Sequence, residues 1–219
     1  MARTITLGGD DRGQAHTLEA FVAAILLVAG LTFALQATAV TPLSASTSNQ
    51  HIENQQRATA TDLLETSAAN GDLREAVLYW DPGNESRDSG FAGTREGLTY
   101  HTGGGPPNAF GEALDRAFLE SRIAFNVHVT YHVGDHAYGE KPFRSQRMVY
   151  MGSPSDNAVT ATRTVTVSND TTLTAPGFED RRLSDVEPDP PVTDGFYAPG
   201  VGDGPTYNYL EVRIVVWRM

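Results

Sequence analysis

Three histidines recur at every fourth position, His128, His132 and His136, and their spacing raises a metal question. On a helix such imidazoles converge on one ion. On a strand the same offset covers about 13 Å, far beyond two ligands each roughly 2 Å from a zinc ion. The surrounding residues alternate, with Ile123, Phe125, Val127, Val129, Tyr131 and Val133 set against Ala124, Asn126, His128, Thr130 and His132. That period belongs to a half-buried strand, so the histidines read as polar side chains facing solvent and no metal is expected. Asp185, Glu187, Asp189, Asp194 and Asp203 gather the oxygen ligands calcium prefers. The prolines between them break EF-hand spacing and no glycine sits at the sharp turn, which leaves an acidic solvated loop as the simpler reading. Gly103-Gly104-Gly105 lacks the following Lys-Ser/Thr of a phosphate cradle and reads as a flexible loop. There is no G-x-S-x-G, no H-E-x-x-H, and Lys141 is the only lysine. No catalytic residue, cofactor or small-molecule substrate is therefore expected, and the chain does not read as an enzyme.

The 219 residues include no cysteine, which excludes disulfides, thiolate metal sites and cysteine nucleophiles. A net charge of −11 argues against nucleic acid, whose phosphates need a basic surface. Nearly every positive charge is arginine, while Asp, Glu, Thr and Gly are abundant. This acidic, lysine-poor composition resembles that of proteins from salt-loving archaea, where screening makes a high surface charge tolerable.

The elements that position these groups begin with a long apolar run. From Ala20 to Gln50 no residue is charged, and Leu18–Val40 is apolar apart from Glu19, Thr32, Gln36 and Thr38. As a helix it spans about 34 Å, enough to cross a bilayer. Arg3 and Arg12 precede it, and the positive-inside rule puts that end in the cytoplasm, with the remainder outside. A Ser/Thr-rich stretch follows Pro42, then a polar helical stalk whose Ile52, Ala60, Leu63 and Leu64 make a weak apolar stripe. Asn70-Gly71 stops the stalk. Asp72 with Glu75 forms a capping-box pattern for a short helix bearing Leu73, Val77 and Leu78, ended by Asp81-Pro82-Gly83. Asn108 caps a helix with Phe110, Leu114, Ala117 and Phe118 on one face. After the strand from Ile123, Gly134-Asp135 marks a turn. Further strands are expected at Arg144–Met151, Ala158–Ser168 and around Leu210, Val212, Ile214 and Val216, with a long polar loop from Pro176 to Pro205. The fold class is α+β: one N-terminal transmembrane helix with a helical stalk, then a mostly antiparallel β-sheet domain with one or two short helices. The boundaries are 1–14 for a polar leader, 15–41 for the transmembrane helix, 42–70 for the stalk and 71–219 for the extracellular domain.

Where leader meets helix the sequence runs Arg12-Gly13-Gln14-Ala15-His16-Thr17-Leu18-Glu19-Ala20-Phe21. This resembles the class III signal of archaeal type IV prepilins, including the archaellins. The resemblance implies a prepilin peptidase that removes the polar leader and leaves the hydrophobic helix on the mature subunit as both anchor and assembly element. Cleavage after Gly13 makes Glu19 the sixth mature residue; cleavage after Gln14, leaving Ala15 first, makes it the fifth, the usual family position. In that family the glutamate pairs with the new amine of a neighbouring subunit. A carboxylate at the edge of hydrocarbon is costly without a partner, so Glu19 suits the role. Ala20, Ala23, Gly30, Ala34 and Ala37 lie along one stripe, and small residues let membrane helices approach closely. The implied partners are membrane lipid, the peptidase and like or related pilin subunits.

Rival readings are an uncleaved single-pass anchor displaying a ligand- or surface-binding domain without a filament, and removal by ordinary signal peptidase near the A-x-A-like Ala37 and Ala39. In the uncleaved case Glu19 is favoured by the helix dipole alone. Asn84-Glu85-Ser86 and Asn169-Asp170-Thr171 are N-glycosylation sequons on the side expected to lie outside.

Overall fold

The structure, a computed structural model, describes residues 11–84, 88–94, 99–101, 103–133, 142–186, 188 and 194–219, the side chains of 11–15 and 37–49 excepted. The chain divides into two compact units, Met1–Ile52 and Glu53–Met219. Helix α1 (Asp11–Asn70) contributes to both. In the first unit every described side chain from His16 to Gln36 is exposed, including Leu18, Phe21, Leu27 and Phe33.

In the second unit the last turns of α1 are less polar in their packing than the thin stripe of the sequence promises. Ala60, Leu63 and Leu64 are buried and join the domain core. The helix stops at Asn70 because Gly71 turns into the left-handed region at φ +90°, which glycine adopts without a Cβ penalty. Gly71 also caps helix α2 (Asp72–Val77), and no side chain caps it. The capping box expected from Asp72 and Glu75 is thus not formed: both acids stand inside the first turn, where they complement the dipole. The helix ends at Val77, before Asp81-Pro82-Gly83, because Trp80–Asp81 (β1) pairs with Gly90–Phe91 (β2).

Helix α3 (Ala109–Ala117) opens as expected, with Asn108 Oδ1 accepting from the Gly111 N–H at 3.2 Å. Phe110 and Leu114, with Phe118 just beyond its end, are buried. In the glycine run before it, Gly105 packs against the helix. A Cβ at Gly111 would stand 1.8 Å from the Pro106 carbonyl oxygen, and one at Gly105 would lie 3.0 Å from Gly111 Cα. The segment is folded flat against the helix, and bare glycine backbone on both sides permits that approach.

Strands β3 (Ile123–His132), β4 (Phe143–Tyr150), β5 (Val159–Ser168) and β6 (Thr206–Arg218) form an antiparallel sheet in the order β4-β3-β6-β5. Register puts Phe125 opposite Val216, Val127 opposite Ile214 and Val129 opposite Val212. Val159, Ala161 and Val165 continue this inner face on β5, and Arg163 interrupts it as an exposed residue. The inner face shares one core with α2, α3 and the end of α1. The other face keeps Thr160, Thr162, Thr164, Thr166, Glu211 and Arg213 exposed. The molecule is therefore α+β with a mostly antiparallel sheet. The turn expected at Gly134-Asp135 lies outside the described residues.

The stretch from Pro176 to Pro205 contains no strand among its described residues and one 3₁₀ turn, Leu183–Asp185. It is not simply polar loop. Leu183, Val186, Phe196 and Ala198 are buried in it. Trp80 Nε1–H donates to the Gly195 carbonyl at 2.8 Å, the Gly195 N–H donates to the Pro82 carbonyl at 2.7 Å, and Tyr197 Oη donates to the Val77 carbonyl at 3.0 Å. Trp80 meets Phe91, Phe196 and Tyr197 edge-on, with centroids 5.0, 6.4 and 4.9 Å away. Aromatic rings bury large area on few side chains, which lets a Pro/Gly/Asp-rich segment hold a fixed path.

Candidate functional site

Helix α1 carries the residues singled out at the amino-terminal junction. Of the leader, residues 1–14, only the backbone of 11–14 is described, and the side chains of Gln14, Ala15 and Ala37 lie outside the described residues. His16–Gln36 is long and apolar enough to cross a membrane, and none of it is buried. Glu19 stands near the start of this span with its side chain 81% exposed, and His16 Nδ1 lies 3.8 Å from its Oε2 one turn earlier. That neighbour was not singled out from sequence. The signal for it is the three-residue offset, which places two helix side chains on one face.

At about 100° per residue, Ala20, Ala23, Gly30 and Ala34 fall within roughly 80° of one another, with Glu19 at the edge of the stripe. Positions 20, 23, 27, 30 and 34 follow the alternating three–four spacing of a helix-packing seam, Leu27 being its one large member. A Cβ added at Gly30 would meet nothing within 4 Å. No neighbour in its own chain requires a glycine there.

The other candidates resolve differently. His128 and His132 lie four residues apart on β3, the strand geometry that keeps them from sharing one ion. Burial, then Arg213 and Arg147, holds the His128 pKa below the ordinary histidine value. The His132 ring meets Phe143 edge-on at 5.3 Å. His136, Glu187 and Asp189 lie outside the described residues; among the described residues no cluster of three or more His, Asp or Glu side chains is placed to hold a metal. Of the first sequon only Asn84 is described. In the second, Asn169 Nδ2 donates to the Gly204 carbonyl at 2.9 Å. Its Thr171 hydroxyl is buried and accepts from the Ser168 N–H at 3.0 Å and from Arg74 Nη2 at 2.8 Å. That sequon is thus part of a tertiary contact joining α2 to the end of β5.

A membrane-length apolar helix followed by an α+β domain, with a carboxylate near the start of the helix, defines the class. The chain belongs to the family of unknown function DUF7288, whose pattern matches residues 12–216. That match begins at the Arg12-Gly13 junction and takes in the apolar helix together with nearly the whole domain. No curated protein and no solved structure matches the chain.

Proposed function

We propose that this chain is a pilin-like structural subunit of the cell surface, anchored and assembled through its N-terminal helix. The observation that carries the reading is a fully exposed apolar span, His16–Gln36, with the carboxylate of Glu19 at its head. In water such a surface is untenable, since soluble proteins rarely expose apolar patches of even a few hundred Å². Lipid satisfies it. A carboxylate at the hydrocarbon edge then needs its own partner, and the new amine of an adjacent subunit is chemically suited to it. The small-residue seam headed by Glu19 supplies close approach between helices, with Gly30 at a position its own chain leaves open. Processing falls after Gly13 or Gln14, and the domain that follows lies outside the cell. Like or related subunits, membrane lipid and a prepilin peptidase are its partners; the structure built is a pilus, an archaellum-like filament or a pilus-like secretion apparatus.

N-terminal sequencing of the membrane-extracted protein tests this directly. A mature terminus at residue 14 or 15 supports the reading. An intact Met1 or Ala2, or a soluble secreted chain lacking the apolar span, overturns it.

A further inference from the structure

The open face of the sheet carries a row, two arginines flanking a histidine, that has no ion-pair partner among the described residues. Register sets Arg147 of β4 and Arg213 of β6 each directly opposite His128 of β3, and Thr162 of β5 opposite Arg213. Both arginines are exposed, and neither side chain makes an ion pair or hydrogen bond among the described residues. Arg147 instead lies over the Tyr150 ring, 4.8 Å from its centroid. Glu211, opposite Thr130 in the next row, is the nearest acid by register and forms no ion pair with Arg213. Strands two apart are separated by roughly 10 Å, so the two guanidinium groups can close over one acidic surface above His128. In a chain with 27 acids and 16 Lys and Arg, two arginines beside a histidine with no acid paired to them mark a surface suited to acids from elsewhere.

The same unit carries a complementary surface. A groove of about 540 Å³ runs between the Glu53–Asn70 part of α1 and α3, and Asp62, Asp72 and Glu112 outnumber the one cation on its wall, Arg116. Because α3 and the end of α1 share the core of the inner sheet face, this groove and the cationic row lie on opposite faces of the domain. We propose that the Arg147–His128–Arg213 row of one copy receives the acidic wall of the α1–α3 groove of the next copy, head to tail. A contact between two different patches is head-to-tail, and it continues from copy to copy as a closed ring or an open array according to the rotation it imposes. The inference rests on the assembly reading above and adds to it a second joint, one made by the domains rather than by the membrane helices.

Cross-linking of the full chain in its own membranes tests it, helped by the absence of native cysteine. Thr162→Cys marks the row and Thr66→Cys the groove; both positions are exposed. The chain carrying both is expected to give a ladder of dimers, trimers and higher adducts on mild oxidation, while each single variant stays monomeric. Adding Arg147→Glu and Arg213→Glu is expected to cut the ladder about tenfold, and Asp62→Arg with Glu112→Arg to restore it. A separate Ala23→Cys chain reports contact between membrane helices. Helix adducts without the domain ladder overturn the head-to-tail joint and leave the assembly reading standing; absence of both sinks the two together. Dimers from Thr162→Cys alone, or adducts with a protein of another mass, also overturn the proposal.

Discussion

Glu19 and His128 are both ionisable, and their settings give them opposite consequences. Glu19 makes no packing contact with a buried core, so its removal should leave folding and insertion untouched. Glu19→Ala is expected to reach the membrane at the parental level and to assemble poorly, read as loss of pelletable or cross-linked multimers; unchanged assembly removes the pairing role. His128 acts on stability instead. Its folded-state pKa is lowered by burial first, then by Arg213 and Arg147. Among the described residues, Glu211, Tyr150 and His132 also stand on that face. In the unfolded chain the imidazole takes up a proton near pH 6.5, while the folded chain resists doing so. The unfolded state therefore binds more protons below about pH 6.5, and stability falls with pH until the lowered folded value is passed. Urea midpoints of the parent should drop between about pH 7.5 and 5.5 by more than those of His128→Gln, and equal slopes would contradict this. Glu19 was legible in the sequence because a lone acid in an apolar run stands out. The cationic row was not: strand alternation shows which face a residue takes but says nothing of which residue on another strand lies opposite.

At the scale of elements, α3 and the four sheet strands were legible because a capping Asn, a 3.6-residue stripe and strict alternation are local signals. The segments around them were decided by close packing that local propensity does not show, and Gly111, which meets Pro106, is one instance. On helix propensity alone, alanine in place of an interior glycine gains about 1 kcal/mol. Here the added methyl would collide with the Pro106 carbonyl at 1.8 Å, a backbone atom that cannot rotate away. Gly111→Ala is expected to lower stability by about 1–3 kcal/mol, measured by denaturant unfolding, and a stabilised variant would show that the segment moves aside freely. Phe196 makes the same point for the long Pro176–Pro205 segment. Its composition of Pro, Gly and Asp announces a loop, yet Phe196 is fully buried beside Trp80, Tyr197 and Tyr207. Phe196→Ala should cost about 3–5 kcal/mol and open the segment to limited proteolysis; a cost under about 1 kcal/mol would mean the ring is not an anchor.

For the whole molecule, the order of apolar helix followed by α+β domain was readable because length and hydropathy are sums over many residues. The point at which the domain begins was not. Three apolar residues on a polar helix, Ala60, Leu63 and Leu64, give little periodic signal, and only the sheet and α3 behind them make them core. Their burial means the domain starts within α1, near Glu53, rather than after Asn70. Among the described residues, every buried hydrophobic side chain lies between Ala60 and Trp217, and no described side chain of the first unit is buried with them. A chain of Glu53–Met219 should consequently stay in solution without detergent and unfold in one cooperative transition. A chain beginning at Asp72 loses those three core residues, and truncating a single buried leucine already costs about 2–5 kcal/mol. It should aggregate or melt far lower, as followed by circular dichroism against temperature. Equal melting of the two fragments would show that the end of α1 rests on the domain without stabilising it.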